Sequence, residues 1–254
     1  MIIENPEQLD KLRKSGKILA ETLALVSEKV APGVSAQALD QIAEENIRKS
    51  GGIPAFKNYR SRKGDPSFPA SLCVSINDEV VHGIPSRDKI LSEGDIVGLD
   101  LGVNYQGLFT DAAITVPVGK IEKKLESLLE TTQKALENAL SAIKPGATTG
   151  DLGHAMETTA KLSGFQVVRE LVGHGVGLSV HEDPEIPCFG KPGSGSKLQE
   201  GMVIAVEPMI NEFGWEVVFA DDKWTVLTMD AGRSAHFEQT LLVTKDGCEI
   251  ITQV

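Results

Sequence analysis

The sequence predicts an α+β fold made of two related halves, each holding a pair of helices and a group of mostly antiparallel strands. Three observations lead there. Helical and strand-like stretches come in groups rather than in regular alternation, a helix–break–helix script occurs twice, and an apolar strand ending in a carboxylate occurs twice.

Residues 6–30 place Leu9, Leu12, Ile18, Leu19, Leu23, Val26 and Val30 at helical spacing. "APGVSAQALDQIAEENIRKSGG" follows, with a Pro-Gly break, Ser35 as an N-cap, and Gly51-Gly52 closing a second helix. Residues 121–143 form another helical run, and "KPGATTGDLGHAMETTAKLSGF" repeats break, cap, helix and terminal Ser-Gly. Aligned on Pro32 and Pro145, an offset of 113 also matches Gly33 with Gly146, Leu39 with Leu152, Ser50 with Ser163 and Gly51 with Gly164. The second echo pairs "LSEGDIVGLD" (91–100) with "LQEGMVIAVE" (198–207), in which Leu-x-Glu-Gly leads an apolar strand whose tenth residue is acidic. A single domain over 1–254 is expected, with halves of roughly 6–118 and 119–254; the Gly/Ser/Pro stretch 189–201 reads as a loop inside the second half.

Composition narrows the function. A net charge of −11 argues against a nucleic-acid footprint, which needs clustered Lys and Arg. "KNYRSRKG" (57–64) is the one basic stretch and reads as a solvated loop. Three cysteines without a CxxC pair suit a reducing compartment. The polar N-terminal stretch has no leader-like apolar run, and no apolar run approaches the ~18 residues of a membrane helix. A cytoplasmic protein without a membrane partner is expected.

The chemistry starts at "GDIVGLDLGVNYQGLFTDAAITV" (94–116), which reads as two strands around Asn104-Tyr105-Gln106-Gly107. Folded between Tyr105 and Gln106, it sets Asp100 directly opposite Asp111. Like charges across a ladder are destabilising, so the pair needs a reason: a shared proton or a shared cation. Other residues favour the cation. Glu207 ends the strand "MVIAVE" before Pro208, Glu238 sits in the β-rich "HFEQTLLVT", and His174 lies between glycines in "GHGVG". Four carboxylates and one imidazole suit Mn, Fe, Co or Zn in a catalytic role better than structural zinc, which prefers Cys and His.

"CVSINDEVVHGIP" (73–85), "GLDLGV…GLFTDAAIT" (98–115), "VGHGVGLSVHEDP" (172–184), "VIAVEPM" (203–209) and "SAHFEQTLLVT" (234–244) resemble, in order and spacing, the type I methionine aminopeptidases. The resemblance runs from about residue 6 to the end of the chain. It implies the pita-bread fold of the M24 metallopeptidases, a pseudo-two-fold arrangement of helices on a curved, mostly antiparallel sheet. It also implies two divalent ions (Co, Mn, Fe or Zn) held by Asp100, Asp111, His174, Glu207 and Glu238. Glu207 would serve as the base as well, with His82 and His181 contacting the substrate amide and supporting the tetrahedral intermediate. The implied substrate is the initiator methionine of nascent polypeptides whose second residue is small, met through transient ribosome association by a monomer. Only 32 residues separate His174 from Glu207, which fits type I rather than the insertion-bearing type II.

Positions matching the family's methionine pocket are Phe68, Cys73 and Trp224. The sequence departs from the pattern nearby: "RSRKGDPSFPASL" is longer than the common bacterial version, and Val180 stands where an aromatic is common. His154 and His236 receive no site role and are read as structural. Two rivals remain, a related peptidase cleaving Xaa-Pro bonds and a non-enzymatic binding protein of the same fold.

Overall fold

The computed structural model describes residues 1–60 and 66–253. Residues 61–65, part of the longer stretch after Tyr59 and half of the basic stretch 57–64, lie outside the described residues. α1 (Pro6–Ser27) starts where the Asn5 side chain accepts the Gln8 amide. It ends before the Val30 that its apolar pattern includes, because Ala31 precedes Pro32 and a residue before proline is steered away from helical geometry. Val30 nonetheless packs on the same core. α2 (Ala36–Lys49) is capped by Ser35, α3 (Lys123–Ser141) has no side-chain cap, and α4 (Thr149–Leu162) opens on a reciprocal capping box between Thr148 and Asp151.

The strands are β1 (Ile53–Pro54), β2 (Leu72–Ile76), β3 (Glu79–Val81), β4 (Ile96–Tyr105) and β5 (Leu108–Pro117) in the first half. The second half holds β6 (Gln166–Val167), β7 (Val172–Gly175), β8 (Glu182–Pro187), β9 (Val203–Val206), β10 (Met209–Asn211), β11 (Val217–Phe219), β12 (Val226–Thr228), β13 (Ser234–His236), β14 (Gln239–Val243) and β15 (Cys248–Ile250). Among the described residues every strand pairing is antiparallel. Hydrogen bonding groups the strands into a sheet around β4, a five-stranded sheet in the order β15-β14-β9-β7-β8, and two three-stranded sheets, β13-β10-β6 and β11-β12-β3.

Each helix pair covers its own strands. Ile18, Leu39, Ile47, Leu99 and Leu101 belong to one buried cluster, while Leu128, Leu152, Met156, Ile204 and Ile210 belong to another. The sequence echoes carry matching bonds. Gly33 N donates to Leu91 O and Gly146 N to Leu198 O, and single bridges join Ser35 to Ile90 and Thr148 to Lys197. After each Leu-x-Glu-Gly turn, Gly94 N reaches Val118 O and Gly201 N reaches Val243 O.

The hairpin register corrects one expectation. The β4–β5 turn is the two-residue Gln106-Gly107, with φ of 52° and 90°, and Tyr105 pairs with Leu108. A tight hairpin turn of this kind needs positive φ at both central residues; Gly107 takes it freely, whereas the expected midpoint would have forced it on bulky Tyr105. Asp100 therefore pairs with Ala113 and Asp111 with Gly102, so the two aspartates are diagonal neighbours. Because the slip is two residues and strand faces alternate, both still point to one face.

Candidate metal centre

The carboxylates arrive from both halves. β4 carries Asp100 and β5 carries Asp111; β7 carries His174 opposite Ala205 of β9, which places Glu207, two residues further on, along the same face. Glu238 immediately precedes β14, and its backbone bridges Ala113 of β5, with Glu238 N to Ala113 O at 2.8 Å. Thr240 adds a second tie, its hydroxyl donating to Asp111 O at 2.7 Å and accepting the Asp111 amide at 2.9 Å. These links join the β4–β5 hairpin to the five-stranded sheet, and the site sits on the seam.

All five are buried, from 2% exposure at Glu238 to 9% at Glu207. Potential ligand atoms of Asp100, Asp111 and Glu238 lie within 4.8 Å of one another, as do those of His174, Glu207 and Glu238. Glu238 thus belongs to two adjacent triads. His174 donates Nδ1–H to the Gly175 carbonyl at 2.9 Å, since a carbonyl only accepts. That fixes the tautomer and leaves the Nε2 lone pair, 3.5 Å from Glu207 Oε1, free to ligate.

The electrostatics are those of a site short of positive charge. Burial, with Glu207's charge adding, pushes Asp100 up to about 7. Burial and then Asp100 push Asp111 well above the carboxylate range; burial and then Asp111 do the same to Glu238. Asp100 Oδ1, Asp111 Oδ1 and Glu238 Oε1 are buried without a hydrogen-bond partner, a costly state for carboxylate oxygens. A divalent cation would satisfy those oxygens and cancel the repulsion, so the residues fit metal binding. Glu207 differs: burial alone would raise it, but His236, followed by His174 and His181, outweighs that and holds it below the usual range.

An apolar end adjoins this charged end within one pocket of about 360 Å³. Cross-strand pairing sets Cys73 of β2 beside Asp100. Phe68 and Cys73 are almost fully buried and cluster with Phe56 and Val180, and Trp224 meets Phe68 edge-on at 5.3 Å. Pairing of β3 with β12 brings His82 to 6.2 Å from Trp224, ring centre to ring centre. His82 is in left-handed geometry at φ 58°, which turns the chain directly after β3. Burial lowers its imidazole to about 4. His181 stands at the mouth, its ring 4.4 Å from that of His174; enclosure of the ring and then His174's charge lower it to about 4.

The structure therefore brings all ten sequence-selected residues, Phe68, Cys73, His82, Asp100, Asp111, His174, His181, Glu207, Trp224 and Glu238, to the wall of one pocket. His154 is exposed on α4 and does not line it. His236 does: it is 3% exposed, with Nε2 3.2 Å from Glu207 Oε2. The signal for it was its place two residues before Glu238, which on a strand means the same face. Tyr59 also lines the pocket, and no sequence pattern distinguished it.

Residues 10–245 match the model of metallopeptidase family M24. The chain belongs to that family. A methionine aminopeptidase of Clostridium perfringens is 44% identical over 254 residues, covering 100% of this chain and 99% of the relative. The crystal structure of a methionine aminopeptidase from Thermotoga maritima superposes with a TM-score of 0.95 at 44% identity over 100% of both chains. A prolidase from Pyrococcus furiosus shares the fold at TM-score 0.79 and 25% identity, with 66% of its longer chain covered. This M24 member therefore has the pita-bread fold and is a metal-dependent aminopeptidase, a hydrolase using divalent metal ions. Among the described residues no helix is long and apolar enough to cross a membrane.

Proposed function

We propose that this aminopeptidase removes the N-terminal initiator methionine from nascent chains whose second residue is small, using two divalent ions. The observation that carries the reading is the pair of ligand triads sharing Glu238, set directly against an apolar pocket of Phe68, Cys73 and Trp224. A thioether side chain suits such a pocket because it is apolar, unbranched and polarisable. Asp100, Asp111 and Glu238 would hold one ion, and His174, Glu207 and Glu238 the other. The ions, when bound, supply Lewis acidity and a lowered water pKa.

The protein's own groups carry the rest. Glu207, kept ionised beside His236, takes a proton from the attacking water on its carboxylate and returns it to the leaving amine. His82 and His181, neutral at pH 7 by their lowered pKa values, donate hydrogen bonds to the substrate amide and to the oxygen that gains charge. The halves at roughly 6–118 and 119–254 act as one catalytic unit, because the ligands come from both. Work on nascent chains in the cytoplasm, at the ribosome and as a monomer, completes the proposal. The test is a comparison of Met-Ala-Ser with Xaa-Pro peptides on the manganese-loaded protein. Release of methionine from the first and no cleavage of the second supports the reading; preference for Xaa-Pro would replace it with a prolidase-like activity.

A further inference from the structure

Tyr59 lies on the apolar side of the pocket and touches a proposed catalytic group. Its hydroxyl lies 2.7 Å from His181 Nδ1, with ring centroids 5.2 Å apart. Both partners are held from behind. Tyr59 N donates to Phe56 O at 2.8 Å, and Phe68 N donates to Tyr59 O at 2.8 Å, which fastens Tyr59 to the pocket-forming Phe68. On the other side, Glu182 Oε1 accepts the amides of Leu178 and Ser179, and the Ser179 hydroxyl donates to His181 O at 2.8 Å. The contact therefore joins two anchored segments.

A neutral imidazole carries one N–H, and which nitrogen holds it is decided by the partner of the other. A phenol is a good donor, and among the described residues no other hydrogen bond engages the Tyr59 hydroxyl. Burial, with Asp111's charge adding, raises the phenol above its usual range, so it stays protonated. We propose that Tyr59 donates to His181 Nδ1 and thereby fixes His181 as the Nε2–H tautomer, the form able to donate a hydrogen bond to the substrate. Tyr59 is then a positioning residue that acts through His181. The opposite tautomer would present a lone pair to the developing negative oxygen, where it would repel rather than stabilise.

The inference rests on the donor role of His181 in the proposed reaction, and its test separates the two. In zinc-loaded protein with ¹⁵N-labelled histidine, the His181 resonances, assigned by their loss in His181→Asn, should report an Nε2–H tautomer with Nδ1 as acceptor. Tyr59→Phe keeps the aromatic wall but removes the donor; His181 should then become a mixture of tautomers. With a methionyl peptide, kcat should fall about tenfold, the scale of one hydrogen bond, while KM changes little. In a His181→Ala background the same substitution should cost nothing further. An Nδ1–H tautomer in the parent protein, an unchanged tautomer in Tyr59→Phe, or additive losses in the double variant would overturn the proposal. The spectrum decides it independently of turnover: a parent protein inactive on methionyl peptides refutes the functional reading, not the Tyr59–His181 assignment.

Discussion

Asp100→Asn should stabilise the metal-free protein while weakening its grip on metal. Asp100 is 8% exposed, its Oδ1 has no partner, and its carboxyl is raised from 3.8 to about 7. With the folded value raised above the unfolded one, the folded metal-free chain keeps a proton that the unfolded chain has released. That contribution to stability is fully present below about pH 4 and is lost as the pH rises through about 7. A gap of this size is worth roughly 4 kcal/mol at 1.36 kcal/mol per pH unit. Above pH 7 the buried charge therefore costs the fold about that much. Asn keeps the shape without the charge but leaves a buried amide to satisfy, at ~1–3 kcal/mol. The net gain at pH 8 is on the order of 1–3 kcal/mol, or ~2–4 °C in Tm for each kcal/mol in a chain of this length. Thermal unfolding of chelator-treated protein at pH 5 and pH 8 should show the parent losing stability with rising pH and Asp100→Asn losing less. Titration with Mn²⁺ should show weaker binding in the variant, and the metal should stabilise the parent by more. A metal-free Asp100→Asn protein less stable than the parent at pH 8 would refute the idea that the centre stores unpaired negative charge.

Other expectations concern turnover and packing. Glu207→Gln should reduce kcat by at least about a hundredfold, with Tm and circular dichroism showing an intact fold, because it removes the proton carrier; near-normal kcat would refute the base assignment. Dialysis against a chelator should abolish hydrolysis, and added Mn²⁺ or Co²⁺ should restore it; full activity in demonstrably metal-free protein would sink the metal mechanism. Gly175→Ala puts a methyl 2.1 Å from the Asp183 carbonyl oxygen, in backbone that cannot easily move, beside His174. A loss of roughly 1–3 kcal/mol is expected from unfolding curves, together with lower bound metal by elemental analysis; unchanged values in both would show that β7 and β8 have slack.

Much of this site was legible because its residues break the rules of their surroundings. Asp100 and Asp111 are acids inside apolar strands and Glu238 sits at the edge of another, and such positions ask for a compensating cation whatever the register. For that reason the two-residue slip of the hairpin left the metal reading intact: the face was right although the pairing was not. The helix pairs were readable from caps and breaks, which are local features, and the end of α1 was missed only through the reach of Pro32 over Ala31.

Tyr59 obeyed its local surroundings and gave no such signal, and His236 offered only its spacing from Glu238. Their importance comes from contacts across the chain, His236 with Glu207 and Tyr59 with His181 at a separation of 122 residues. The sequence by itself determined which acids must be buried together and which segments are helical, because burial cost and helix capping act over a few residues. The tertiary structure alone decided the two triads meeting at Glu238 and the pairing of His181 with Tyr59, because these depend on distances between segments that only packing brings within reach.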